Sequence, residues 1–290
     1  MLAVHAEGLD AVVKQALPRL RVADKWLAKR ERSVAEAAAL RLAGELAPGA
    51  VPGVLDVDEE ECALVVEHAP VGWRNWKELL LAGDADPAVA RRLGHLLAVW
   101  QAGTSGGAGL DGVDVFEQLR VDPYYRTVMR RAPELSAAVG AYVERMLATR
   151  LCLVHGDYSP KNVLAGDDGL WVIDFEVAHL GDPAFDVAFM VNHLLLKAIH
   201  RPGTAAAYEE CSHTFVSAYR AFVPAALAPE PRYVLGQVGC LMVARVDGKS
   251  PAEYLGEEER GVARRFGREL LLDPPETLEQ VWAMLPERAT

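Results

Sequence analysis

Two short polar runs frame a turn-rich stretch in the middle of the chain: His155-Gly156-Asp157-Tyr158-Ser159-Pro160-Lys161-Asn162 and Ile173-Asp174-Phe175-Glu176. An amide oxygen and a carboxylate are hard donors suited to a cation such as Mg2+, and a second carboxylate can orient a hydroxyl and accept its proton. Phosphoryl transfer uses that set of parts. Taken singly, Gly156-Asp157 reads equally well as an ordinary turn and Asp174 as a strand-end carboxylate. Together they are harder to obtain by accident, since the pattern H-G-D-x-x-x-x-N arises by chance in roughly 0.2% of chains of this length.

The elements that must position these residues are short. Leu151 to Val154, Val163 to Ala165 and Trp171 to Phe175 are β-like runs, the last two joined by Gly166-Asp167-Asp168-Gly169, a strong hairpin turn. Asn162 and Asp174 can meet at the open end of that hairpin. Around it, from about Val71 onward, helix signals dominate: Pro87 to Ala102, Pro133 to Thr149, Asp186 to His200, Ala205 to Phe222, Arg232 to Val246, Pro251 to Leu272 and Pro275 to Met284. Ahead of it, Leu2 to His5 and Ala11 to Lys14 flank the turn Glu7-Gly8, an Ala-rich helix runs from Ser33 to Leu46, and Val51 to Asp56 and Cys62 to Glu67 alternate around an acidic turn. The expectation is an α+β chain with a β-rich unit at residues 1–70 and a mostly helical unit at 71–290.

Composition narrows the partners. The 290 residues are 51% apolar and 24% charged, with 30 Lys plus Arg against 41 Asp plus Glu, a formal charge of −11. Disorder, collagen and coiled coil are excluded. No basic footprint favours nucleic acid or an anionic membrane surface, so a small-molecule partner is expected. Glu7 and Asp10 interrupt any signal peptide, and the most apolar segment, Val187 to Ile199, is too short for a bilayer and holds Asn192, His193 and Lys197. The cysteines at 62, 152, 211 and 240 are scattered, which suits buried thiols in a reducing, cytoplasmic setting.

With Gly181-Asp182-Pro183-Ala184-Phe185-Asp186 following the two runs, the sequence resembles the aminoglycoside phosphotransferase family, small-molecule kinases of protein-kinase-like fold. The resemblance covers most of the chain and implies a bilobal architecture with a small β-rich N-lobe and a large helical C-lobe. It implies that Asp157 is the catalytic base and that Asn162 and Asp174 hold Mg2+ on the phosphates of ATP or GTP. His155 would brace the loop and Asp182 and Asp186 would support it, while Glu176 would touch the metal or hold the turn. Val12-Val13-Lys14 resembles the kinase strand whose lysine holds the α- and β-phosphates, with Glu36 as its ion-pair partner. Glu67 to Ala69 falls where the family's hinge meets adenine.

The sequence also departs from the family. Only thirteen residues precede Lys14, too few for a complete Gly-rich phosphate flap, so the N-lobe reads as truncated. A catalytically silent binding module of the same fold is therefore a second expectation. Acceptor contacts are expected from the helical unit, where Tyr124, Tyr125, Asn192, His193 and Lys197 are candidates for a polyhydroxylated molecule. Lys197 and Arg201 weigh against a polycationic one.

Overall fold

The computed structural model describes residues 2–6, 8–17, 29–107, 109–167 and 169–285. Two strands, β1 (Leu2–Ala6) and β2 (Leu9–Gln15), form a hairpin through Gly8, whose positive φ the tight turn requires. Helix α1 (Arg32–Leu46) follows, then β3 (Val54–Asp58) and β4 (Ala63–Glu67). These strands make one antiparallel sheet in the order β1-β2-β4-β3. The pairing Lys14↔Leu64 holds the lysine strand in the middle of the sheet. The buried face of α1 carries Ala37, Leu40 and Ala43, small enough to let the helix lie close to the sheet, and Trp100 Nε1 donates to the Ala43 carbonyl at 3.0 Å to tie α1 to the helical lobe.

The second lobe begins with β5 (Arg74–Asn75) and α2 (Trp76–Ala82), then α3 (Pro87–Gly103) and α4 (Val113–Phe116). A π-helical stretch, Glu117–Arg126, leads into α5 (Thr127–Arg131) and α6 (Ser136–Ala148). The strands β6 (Cys152–Val154), β7 (Val163–Gly166), β8 (Gly169–Val172) and β9 (His179–Gly181) come next, and α7 (Ala184–His200), α8 (Ala205–Phe222), α9 (Pro231–Asp247), α10 (Glu257–Leu272) and α11 (Leu278–Met284) complete the lobe. Every residue of α7 from Ala184 to Ile199 is buried, which accounts for its near-continuous apolar run. No helix of the described residues is long and apolar enough to cross a membrane. All four cysteines are buried and unpaired.

Several expected boundaries shift for identifiable reasons. The helix expected from Pro251 begins at Glu257, because Gly256 N–H is capped by the Glu259 carboxylate at 2.8 Å. Likewise the last helix starts after Thr277, whose hydroxyl accepts from Gln280 N. The strand expected over Val51 to Asp56 lies at Val54–Asp58. The helical run containing Glu117–Arg126 was hidden by its polarity and by Pro123. Its wide turn accommodates the proline, and the Thr127 hydroxyl and N–H both bond the Asp122 carbonyl.

Candidate active site

The β7–β8 hairpin pairs Val163 with Val172 and closes at Gly166↔Gly169. Beyond its last formal pair the ladder runs one bond further, Ile173 N donating to the Asn162 carbonyl at 2.9 Å, which brings the end of the first polar run beside the start of the second. At that point Asp174 adopts φ +70°, a left-handed conformation rare for a non-glycine residue and held here by surrounding contacts. Asn162 Nδ2 donates to the Asp157 carbonyl at 3.0 Å, leaving the amide oxygen as an acceptor. Asn162 and Asp174 line one cavity with Lys14, Glu36 and Lys161.

The loop before the hairpin is braced on both sides. His155 Nδ1 accepts from Asp157 N at 3.1 Å and Nε2 faces the Ile173 carbonyl at 3.2 Å, so one ring ties the two polar runs together. Burial holds its pKa down to about 4, which keeps it neutral and fit for that double role. Asp186 accepts from His155 N at 2.7 Å and Gly156 N at 3.0 Å. Gly156 has φ +75°, and a Cβ there would stand 2.9 Å from the Val177 carbonyl oxygen, so the turn admits glycine alone. Asp182 caps α7 by accepting from Ala184 N at 2.9 Å.

Asp157 is buried, with Oδ2 lying 2.8 Å from Arg120 Nη2 and 2.7 Å from Lys161 Nζ. Burial would raise its pKa, but the two cations outweigh burial and hold the carboxyl below its ordinary range. Lys14 Nζ lies 2.5 Å from Glu36 Oε1 and 2.7 Å from Asp174 Oδ1. Those two carboxylates overcome burial and keep the lysine protonated. Against the opposing effect of burial, Lys14 and Lys161 hold Asp174 far below the usual carboxylate range. Glu176 is engaged by Arg32 Nε at 2.9 Å, so it anchors the start of α1 to the turn after Asp174.

Beside Lys14 the cavity, of about 370 Å³, is walled by Val12, Leu40, Val66, Leu164 and Ile173, an apolar slot of the kind that takes a flat ring. Glu67, His68 and Ala69 also line it, although the Glu67 carboxylate itself turns to accept from Gly53 N at 2.9 Å.

The acceptor candidates separate. Tyr125 is buried in the helical core and its hydroxyl donates to Gln237 Oε1 at 2.6 Å, in a chain that continues through Tyr233 to Asp182. Tyr124 lies against Arg120 and accepts from Arg245 Nη1 at 3.4 Å. Asn192, His193 and Lys197 are all buried on α7, and neither polar atom of the Asn192 amide has a hydrogen-bond partner among the described residues.

Sequence reasoning missed the two cations on Asp157. Lys161 was in view, four residues after Asp157 within the same motif. Arg120 gave no signal, because nothing in the sequence links position 120 to 157.

A small sheet-and-helix lobe set over a helical lobe, with the polar cleft at their junction, defines a kinase-like phosphotransferase architecture. The profile of the phosphotransferase enzyme family matches residues 3–221, and the chain belongs to that family. Among curated proteins it is 26% identical over 224 residues to the methylthioribose kinase of Yersinia pestis (strain Pestoides F), covering 67% of this chain and 55% of that one. It is 27% identical over 221 residues to the methylthioribose kinase of Bacillus cereus (strain AH820), covering 66% and 56%. The chain thus spans about half the length of these relatives. Among solved structures, the choline kinase LicA of Streptococcus pneumoniae superposes with a TM-score of 0.53 at 14% identity over 93% of this chain and 88% of that one, a likeness of fold.

Proposed function

We propose that this chain transfers the γ-phosphoryl group of ATP, or of GTP, to a hydroxyl of a small molecule. The observation that carries the reading is the meeting of Asp157, Asn162 and Asp174 at one hairpin mouth, opposite a Lys14–Glu36 pair. Asn162 Oδ1 and the Asp174 carboxylate are the donors that would hold Mg2+, both hard oxygens on the cavity wall. Bound there, the ion supplies charge neutralisation on the phosphate oxygens. Lys14, kept protonated, binds the phosphates preceding the transferred one, and the slot between Val12, Val66 and Leu164 holds the base, with the backbone at Glu67 and Ala69 reading its edge.

Asp157 orients the acceptor hydroxyl and takes its proton. Its depressed pKa makes it a weak base, which suits a loose transition state in which the attacking oxygen loses its proton late. Arg120 and Lys161 hold that carboxylate in one position.

The test is nucleotide-dependent phosphorylation of a panel of hydroxylated metabolites by the wild-type chain and by Asp157→Asn. Turnover that falls by about 10² to 10⁴ with nucleotide affinity unchanged supports the assignment. Undiminished turnover in Asp157→Asn refutes it. Nucleotide binding without transfer to any acceptor would favour the silent module.

A further inference from the structure

Helix α7 carries a lysine into the centre of the helical lobe. Lys197 is 0% exposed, and its amine donates only weakly, to the carbonyl of His193 at 3.3 Å in its own helix. No carboxylate pairs with it among the described residues. It lies 5.6 Å from the centre of the Tyr254 ring, which Lys77 also approaches, at 6.0 Å. Arg245 on α9, also buried, is held by Ser250 Oγ at 2.9 Å and by Tyr124, yet among the described residues its Nε has no hydrogen-bond partner, and neither has the Tyr254 hydroxyl. Buried donors and charges without partners are costly, so a cluster of them calls for a ligand that satisfies them.

The sign of the cluster is positive. After burial, the strongest influences on His193 are Lys197, Arg245, Lys161 and Lys77, and all of them push its pKa down. Burial, Lys77 and Arg245 together push the Lys197 amine down to about 7, and the acidic counterweight, Glu253, is already paired with Lys77. The cluster also reaches the catalytic loop. Tyr124 bridges Arg245 and Arg120, and Arg120 pairs with Asp157.

We propose that the acceptor bears an anionic group, a carboxylate or a phosphate, seated among Lys197, Arg245 and Tyr254 while its hydroxyl faces Asp157. This deepens the phosphotransferase reading and rests on it. An ammonium-bearing acceptor would meet like charge at Lys197 and Arg245, whereas an anion supplies the missing partner and favours protonated Lys197.

Matched compounds test this. Glycerol, ethanolamine, glycerate and glycerol phosphate, and glucose, glucosamine, glucuronate and glucose 6-phosphate, are titrated calorimetrically into the full chain with the nucleotide cleft filled by a non-hydrolysable ATP analogue and Mg2+. The expected result is at least tenfold tighter binding of one anion, carboxylate or phosphate, than of its neutral and amine counterparts. That preference is lost in Lys197→Met and reduced in Arg245→Gln, with analogue affinity unchanged. Lys197→Met replaces a buried amine by an apolar chain of similar length and should fold.

Anions that bind no tighter than the neutral or amine compounds, or not at all, overturn the proposal, as does a preference that survives Lys197→Met. Phosphoryl transfer from ATP is scored separately. Anion binding without transfer would remove the phosphotransferase reading and leave the subsite, and transfer favouring the amines would do the reverse.

Discussion

The pairing of Arg120 with Asp157 is a buried ion pair at the loop before the β7–β8 hairpin, and its strength can be measured directly. Both side chains are under a tenth exposed and their atoms lie 2.8 Å apart. Removing one partner of such a pair leaves an uncompensated buried charge, at about 3–5 kcal/mol. Lys161, half exposed, also reaches Asp157 but contributes at most about 1 kcal/mol. Arg120→Met should therefore destabilise by about 3 kcal/mol in urea denaturation at pH 7, and Asp157→Asn by a similar amount. The double variant should lose about 2–3 kcal/mol less than the sum, since removing either partner already removes the pair.

The pH dependence follows from the same pair. In the native chain the Asp157 pKa is depressed, so its contribution is present above the unfolded value and lost only as pH falls through the lower folded one. Without Arg120, burial dominates and the carboxyl rises, so the deficit of Arg120→Met should shrink as pH is lowered from 7 towards 5. Additivity of the two substitutions within about 0.5 kcal/mol, or a deficit that grows in acid, would refute the argument.

Gly156→Ala should cost about 2 kcal/mol or more, since it forces a side chain into the left-handed region and against the Val177 carbonyl; urea denaturation reads this, and a fall in turnover should accompany it. His155 is held near 4 against about 6.5 unfolded, so its contribution is complete above pH 6.5 and lost as pH falls towards 4, by about 3 kcal/mol. Imidazole NMR titration should show no protonation of His155 above pH 5.5. Mg2+ and nucleotide should each bind more tightly in the presence of the other, because both compete with the Lys14–Asp174 pair; calorimetry on Lys14→Met should show that coupling reduced.

What the sequence could reveal followed from locality. The hairpin and its flanking runs lie within about twenty residues, so turn chemistry and strand pattern sufficed to bring Asn162 and Asp174 together. Lys14 and Glu36 sit on a strand and a helix whose patterns were readable, and the resemblance supplied their pairing. Arg120 was not legible, because its stretch is polar, contains Pro123 and folds as a π-helix with no recognisable apolar period. The partner of Tyr125 was not legible for a related reason. An aromatic residue in a polar run resembles a ligand contact until its neighbours place it, and Gln237, which satisfies its hydroxyl, lies on another helix far along the chain.

Under the proposed transfer, the charges of the cleft suit two substrates of different character. Around Lys14 stand one cation and two carboxylates, Glu36 and Asp174, so that half is short of positive charge and suited to receive a cation with a nucleotide. Around Asp157 stand one carboxylate and two cations, Arg120 and Lys161, so that half is short of negative charge. Asp174 and Lys161 line the same cavity, which sets the two imbalances side by side. A group moving from the first half towards the second carries negative charge towards the surplus of cations, and the buried setting of both halves strengthens that attraction relative to water. Neither imbalance could be read from the chain's net charge of −11, because each belongs to three side chains that the fold brings together.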